Sequence, residues 1–307
     1  MAAYLLHLLA IRANPTYLLC MDSKKPMRHT RPSVSASILA AVKNRNKRPT
    51  GVTKVVRNDT VIASYNVHKC VGIDKKFDPD RIAHVIGELG ADVVAVQEAD
   101  KRFGERSGLL DLARLERENN LVPVRVASLY PKGHGWHGNL LLFREGVVRR
   151  VQQLKLPGLE PRGALVVDLD LEAGPLRIIA AHLGLLRHSR MQQSEAILNA
   201  VHADPSRPTL LLGDLNEWRI GKGSSLHFLH PVFDPMKNAV PSFPSRFPVL
   251  ALDRVLGHPH SLVTGIEVHD TPLARVASDH LPIKAYVDLK GALAETADIR
   301  DRASLAR

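Results

Sequence analysis

The sequence predicts an α+β fold in which two β-sheets pack together and helices cover their outer faces. Three observations lead there. Short apolar or β-branched runs recur along the chain, few segments show helical spacing, and a long Pro-rich connection spans Pro231–Pro248. At 307 residues with 45 % hydrophobic content the chain can bury a full core, and no repeat of solenoid period runs through it.

Val55–Val67 reads as the first strand, rich in β-branched residues and closing on Asn66. Asp78-Pro79 then opens a helix, with Asp as N-cap and Pro at the first helical position. Ile82, Val85, Ile86 and Leu89 form its apolar face, and Gly90 ends it. Asp92–Gln97 is nearly all apolar, the mark of a strand covered on both faces. Residues 99–120 read as a loop and a short amphipathic helix carrying Leu109, Leu112 and Leu115. Strands are then expected at Val122–Leu129, Asn139–Phe143, Ala164–Leu171 and Leu176–His182. A helix over Arg187–His202 turns Met191, Ile197, Leu198 and Val201 inward. Thr209–Leu212, Leu250–Leu256, Leu262–Val268 and Leu281–Val287 complete the strands, and residues 291–307 form a frayed or helical tail.

The formal charge of +11 is unevenly spread. Residues 1–57 hold 11 of the 42 Lys and Arg and one acid, Asp22, so the remainder balances 31 bases against 30 acids (42 less 11, 31 less one). The basicity belongs to an N-terminal arm, expected to be a disordered leader preceding a catalytic domain over 58–290. Such an arm can also tether the chain to acidic lipid or nucleic acid. Cys20 and Cys70 make neither a disulfide framework nor a CxxC metal site. Met1–Ile11 is apolar but lacks a basic n-region, and no run approaches the roughly 18 apolar residues of a membrane helix. A cytoplasmic monomer is the expectation, with peripheral membrane association through the arm as its variant.

The chemistry is carried by polar clusters that each close an apolar run: Ser64-Tyr65-Asn66, Gln97-Glu98, His182, Gly213-Asp214-Leu215-Asn216, Asp253 and Ser278-Asp279-His280. Glu98 leaves a buried strand, and a divalent cation removes the cost of a carboxylate there. The Asn66 amide suits a metal ligand, a carboxylate partner or a plain Asx turn, and the sequence leaves these open. Asp214 and Asn216 lie at i and i+2, on one side of an extended backbone; Asp can deprotonate water while Asn donates to a phosphate oxygen. Gly213 lets backbone approach a ligand. Asp279 and His280 point apart, so His280 needs another acid to set its tautomer, and Asp253 is the candidate. His182 suits a phosphate contact. Arg162, Arg190 and His137 are candidate substrate contacts, each with a structural or surface role as the plainer alternative.

In their order, Asn66, Gln97-Glu98, Gly138-Asn139, His182-Leu183, Gly213-Asp214-Leu215-Asn216, Asp253 and Ser278-Asp279-His280-Leu281-Pro282 resemble the endonuclease/exonuclease/phosphatase superfamily, over about residues 58–288. The resemblance implies a four-layer αββα, deoxyribonuclease I-like sandwich with two mostly antiparallel sheets. It implies Mg²⁺, with Mn²⁺ as its substitute, held by Glu98 with Asn66 and Asp279. His280, polarised by Asp253, activates or positions hydroxide; Asp214 and Asn216 hold the nucleophile and transition-state oxygens; His182 binds the scissile phosphate; and Asn139 joins the substrate contacts. A phosphodiesterase is expected, with nucleic acid as first substrate, a phospholipid or small phosphate ester as alternative, and an inactive binding module as the remaining reading. Where many nuclease members carry an acid two residues after the Asn, this chain has His68.

Overall fold

The computed structural model describes residues 60–127, 132–202, 207–219, 223–234 and 239–305, with side chains to residue 297. The expected leader over 1–57 lies outside the described residues. Two mixed sheets stand face to face. The first, ordered β10-β11-β1-β2-β4-β3, comprises β1 Thr60–Asn66, β2 Val93–Gln97, β3 Val122–Pro123, β4 Leu140–Phe143, β10 Val263–Val268 and β11 Ile283–Val287. The second runs in the order β5 Val147–Leu156, β6 Arg162–Leu171, β7 Gly174–His182, β8 Thr209–Asp214 and β9 Asp253–His258.

Each sheet has one parallel pair, and the other pairings are antiparallel. Helix α1, Pro79–Glu88, joins β1 to the parallel β2, and helix α3, Arg187–His202, joins β7 to the parallel β8. A parallel pair needs such a crossover because a tight turn cannot reverse the chain twice. The N-cap of α1 forms as the sequence implies, with the Asp78 carboxylate accepting from Arg81 N at 2.9 Å.

Period-two alternation sorts the strands into layers. Ile62, Val93 and Ala95 meet Ile178, Ala180, Leu210 and Leu212 in an apolar core between the sheets. Ala63, Tyr65, Val94 and Val96 turn outward onto α1, α2 (Leu112–Asn119) and α4 (Pro272–Ala277). Ile179, Ala181 and Leu211 turn outward onto α3 and the 3₁₀ turn Ser225–Leu229. The result is the four-layer sandwich. By the same parity Asn66, Gln97, His182 and Asp214, the last residues of both parallel pairs, all belong to the inner faces, at one rim.

Three elements differ from expectation. β5 was not expected, because its exposed edge position leaves Arg149, Arg150, Gln152 and Gln153 in a run with no clean alternation. Of the strand expected at Val122–Leu129, the described residues 122–127 keep two, Val122 and Pro123; Pro123 has no N–H for a ladder and stands on an edge strand. α4 is too short for an apolar stripe, although Thr271 caps it, accepting from Ala274 N at 3.1 Å, with Pro272 at the first helical position. At the C-terminus, α5 (Leu289–Leu305) runs across the domain limit expected at 290, and its Leu289 and Ala292 join the core between the sheets.

Candidate active site

Asp214 is the centre of a buried polar cluster where the two sheets open. Its Oδ2 accepts from Asn66 Nδ2 at 2.9 Å, and its Oδ1 accepts from Asn216 N at 3.0 Å. His182 Nε2 lies 3.4 Å and His280 Nε2 3.8 Å from the same Oδ2. On the far side of His280, Nδ1 donates to Asp253 Oδ2 at 2.9 Å, and the Ser242 hydroxyl donates to that oxygen too. The separate acid that His280 requires is therefore Asp253. Ser278 fixes the segment: its hydroxyl donates to Asn66 O at 2.7 Å and accepts from His280 N at 3.3 Å.

The charges follow from burial and proximity. Burial raises the Asp214 carboxyl to about 6, the nearby His280 charge pulling the other way. Burial alone would depress His280, but the Asp253 carboxylate and then Asp214 outweigh it and lift the imidazolium to about 10. Burial, reinforced by the Arg162 charge, pushes His182 well below its ordinary value, so it is neutral. Arg162 Nη1 lies 3.0 Å from both ring nitrogens of His182. A proton carried on His182 Nε2 would face Asp214 Oδ2, 3.4 Å away. Asp253 and Asp214 together favour the charged form of His280, and burial raises the Asp214 carboxyl to about 6, so Asp214 stands beside His280 as a second group able to take a proton from water.

Glu98 emerges beside this cluster with a left-handed backbone, φ +57°. One residue after Asn66 come three left-handed residues, His68, Lys69 and Cys70, a turn that brings Lys69 Nζ to 3.0 Å from Glu98 Oε2. The approach lacks hydrogen-bond geometry, and Oε2 is buried with no hydrogen-bond partner. An orphaned hard oxygen of this kind fits a divalent cation. Asp279, about a third exposed, offers a second carboxylate and lies 3.8 Å from His68 Nδ1. Asn66 Oδ1 already accepts from His68 N at 3.0 Å, so its amide serves the turn and Asp214 before any ion. Among the described residues no three His, Cys, Asp or Glu side chains gather into a ready-made metal cage.

The expected substrate contacts divide. Arg162 and His137 line the cleft with Lys69, Glu98 and Arg102, and it opens beside a cavity of about 320 Å³ between the 102–106 turn and residues 133–137. Asn139 is fully buried, and its amide bridges Gly163 O at 2.9 Å and Trp136 O at 3.1 Å, so it ties the sheets together rather than facing a substrate. Arg190 is also corrected. Its buried guanidinium is spent on Ser225 Oγ, the Gly184 and Leu185 carbonyls and Glu217. Asn216 commits an amide N–H to Leu183 O at 2.9 Å. Gly213 admits a neighbouring strand, not a ligand: a Cβ on it would lie 1.8 Å from Ala181 O. Sequence reasoning missed Lys69, Ser242 and Glu160. Glu160 stands two residues before the candidate Arg162.

Two sheets that open to present carboxylate, imidazole and amide groups around one acid define a phosphoester hydrolase of sandwich type. The Endonuclease/Exonuclease/phosphatase family profile matches residues 63–280, and the chain belongs to that family. Its enzymes generally depend on divalent metals. A Beutenbergia cavernae endonuclease/exonuclease/phosphatase shares the fold with a TM-score of 0.58 at 24 % identity, covering 77 % of this chain and 73 % of that one. Truncated Caenorhabditis elegans TDP2 gives 0.51 at 14 % identity, covering 75 % and 98 %. A Bacteroides thetaiotaomicron mannosyl-6-phosphatase gives 0.54 at 15 % identity, covering 74 % and 98 %. No curated protein matches the sequence.

Proposed function

We propose that the protein is a divalent-metal-dependent phosphodiesterase that attacks phosphorus in line with a water molecule. The observation that carries this reading is the relay Asp253–His280–Asp214, flanked by His182 and Asn66. Glu98 and Asp279 would hold Mg²⁺ or Mn²⁺, with Asn66 beside them. When bound, the ion supplies Lewis-acid neutralisation of charge on the phosphate.

Asp214, held as a carboxylate by two N–H donors, accepts the proton of the attacking water. Water oxygen joins phosphorus, the bond to one alcohol oxygen breaks, and that oxygen leaves as the alcohol, the proton taken by Asp214 passing to it. The His280 imidazolium, oriented by Asp253, places a full positive charge beside the oxygens where negative charge grows. With its proton on Nε2, His182 directs an N–H into the same space. Nucleic acid was the first substrate expected, but three cleft arginines are already committed: Arg102 and Arg162 to Glu160, and Arg106 to Asp100. That leaves little of the free phosphate-tracking charge a nuclease uses.

The test is hydrolysis of bis(p-nitrophenyl) phosphate by the purified protein with Mg²⁺ or Mn²⁺, against Asp214→Asn and Glu98→Ala. Turnover that needs metal and falls by about 10²-fold or more in each variant is expected. Absent turnover, or variants as fast as the parent, defeats the reading.

A further inference from the structure

The cleft mouth carries an apolar rim that the chemistry does not use. Phe103, Leu159 and Leu185 are 79 %, 85 % and 64 % exposed. They stand on three separate loops, yet one carboxylate gathers those loops. Glu160 Oε1 accepts from Leu185 N at 2.6 Å, while Oε2 accepts from Arg102 at 3.3 Å and from Arg162 at 2.8 Å. Phe103 follows Arg102, Leu159 precedes Glu160, and Arg162 reaches His182 in the buried cluster. Exposed apolar side chains scattered singly need no explanation, but three whose loops one carboxylate ties to the cleft-lining Arg162 mark a contact surface. Lys101, two residues before Phe103, borders them with a cation.

We propose that this rim seats the cleft on a lipid–water interface, and that the phosphodiester drawn into the site is the head group of a membrane lipid. The inference rests on the hydrolase reading above and names its substrate class. Phe103, Leu159 and Leu185 enter the head-group layer while Lys101, close to Phe103 in the chain, meets a lipid phosphate. A nucleic acid calls for flat stacking faces and free cations, and the two leucines offer neither. The bond change is unaltered: water oxygen joins phosphorus, and the head-group alcohol or the lipid alcohol departs with a proton.

The experiment compares the full chain with the combined variant Phe103→Ser, Leu159→Ser, Leu185→Ser, and with Leu159→Ser alone in case the triple change impairs folding. Vesicles of phosphatidylcholine with phosphatidylglycerol are sedimented with each protein in high salt, which screens the basic arm. Hydrolysis of the vesicle lipid and of soluble bis(p-nitrophenyl) phosphate is followed in parallel. The triple variant is expected to bind vesicles at least about tenfold more weakly, and the single variant to weaken in the same direction. Lipid hydrolysis falls in step, while the soluble ester is cleaved at the parent rate. Equal vesicle binding by parent and variants, or no binding by the parent, overturns the interface proposal. Failure of the parent to cleave the soluble ester instead overturns the hydrolase reading, and the vesicle result distinguishes the two.

Discussion

Asn66 and Asp214, one from each sheet and 148 positions apart, are joined by a 2.9 Å hydrogen bond from amide to carboxylate. The bond crosses the space between the sheets at the ends of both parallel pairs, so it locks the sandwich opening and the acid in one step. Asn66→Ala removes a donor to a buried charge, worth about 1.5–3 kcal/mol. The expected outcome is a fall of roughly tenfold to hundredfold in kcat/KM with the circular-dichroism spectrum retained. Unchanged kcat/KM would show that the amide serves only the His68 turn.

Asp253→Asn tests the relay from its far end. The amide can still bond to His280 Nδ1, but it no longer supplies the charge that raises the imidazolium. Loss of an orienting carboxylate behind a histidine costs about 10²–10⁴-fold in kcat. The same variant should lower the His280 pKa, read from its ring-proton shifts in an NMR titration. A kcat loss with an unmoved His280 titration would place the effect in the Ser242 contact instead.

Lys69 holds an ammonium 3.0 Å from the oxygen best suited to a metal. Two cations compete for one carboxylate, so Lys69→Met should tighten Mg²⁺ or Mn²⁺ uptake measured by calorimetry, by about tenfold or more for a pair at this separation. Glu98→Gln should abolish that uptake. Weaker binding in Lys69→Met would mean the ammonium steadies Glu98 rather than competing for it.

The layers and most of the cluster were legible because strand ends in this fold are punctuated by polar residues after apolar runs. Asn66, Glu98, His182 and Asp214 each stand there, His280 lies between α4 and β11, and Asp253, set inside its apolar run in the sequence, opens β9. What stayed hidden depends on side-chain direction and backbone sign. Arg190 reads as a cleft cation by type, yet helix geometry turns it inward to Glu217, and no periodicity shows that. The left-handed turn at His68–Cys70 that aims Lys69 has no glycine to announce it. Ser242 lies in the Pro-rich connection, where no strand register predicts its neighbour.

The Arg190–Glu217 pair supports the site from behind, since Arg190 holds the Gly184 and Leu185 carbonyls just beyond His182. Burial would raise the Glu217 carboxyl, but donors from Ser225 and Arg219 N, with the Arg190 charge, leave it below its ordinary 4.5. A depressed carboxyl contributes stability that is complete above its unfolded value and drains away as pH falls through the folded one. Unfolding free energy should therefore decline below about pH 4.5. Glu217→Gln keeps an acceptor for Ser225 but leaves Arg190 as an uncompensated buried charge, a loss of about 3 kcal/mol or more. At neutral pH that is roughly 6–12 °C in Tm for a domain of this size. The gap between parent and variant should narrow toward low pH, where the parent's carboxyl is protonated too. Denaturant titrations at neutral and acid pH measure it, and a gap that stays constant would show that the carboxylate charge is not what holds Arg190.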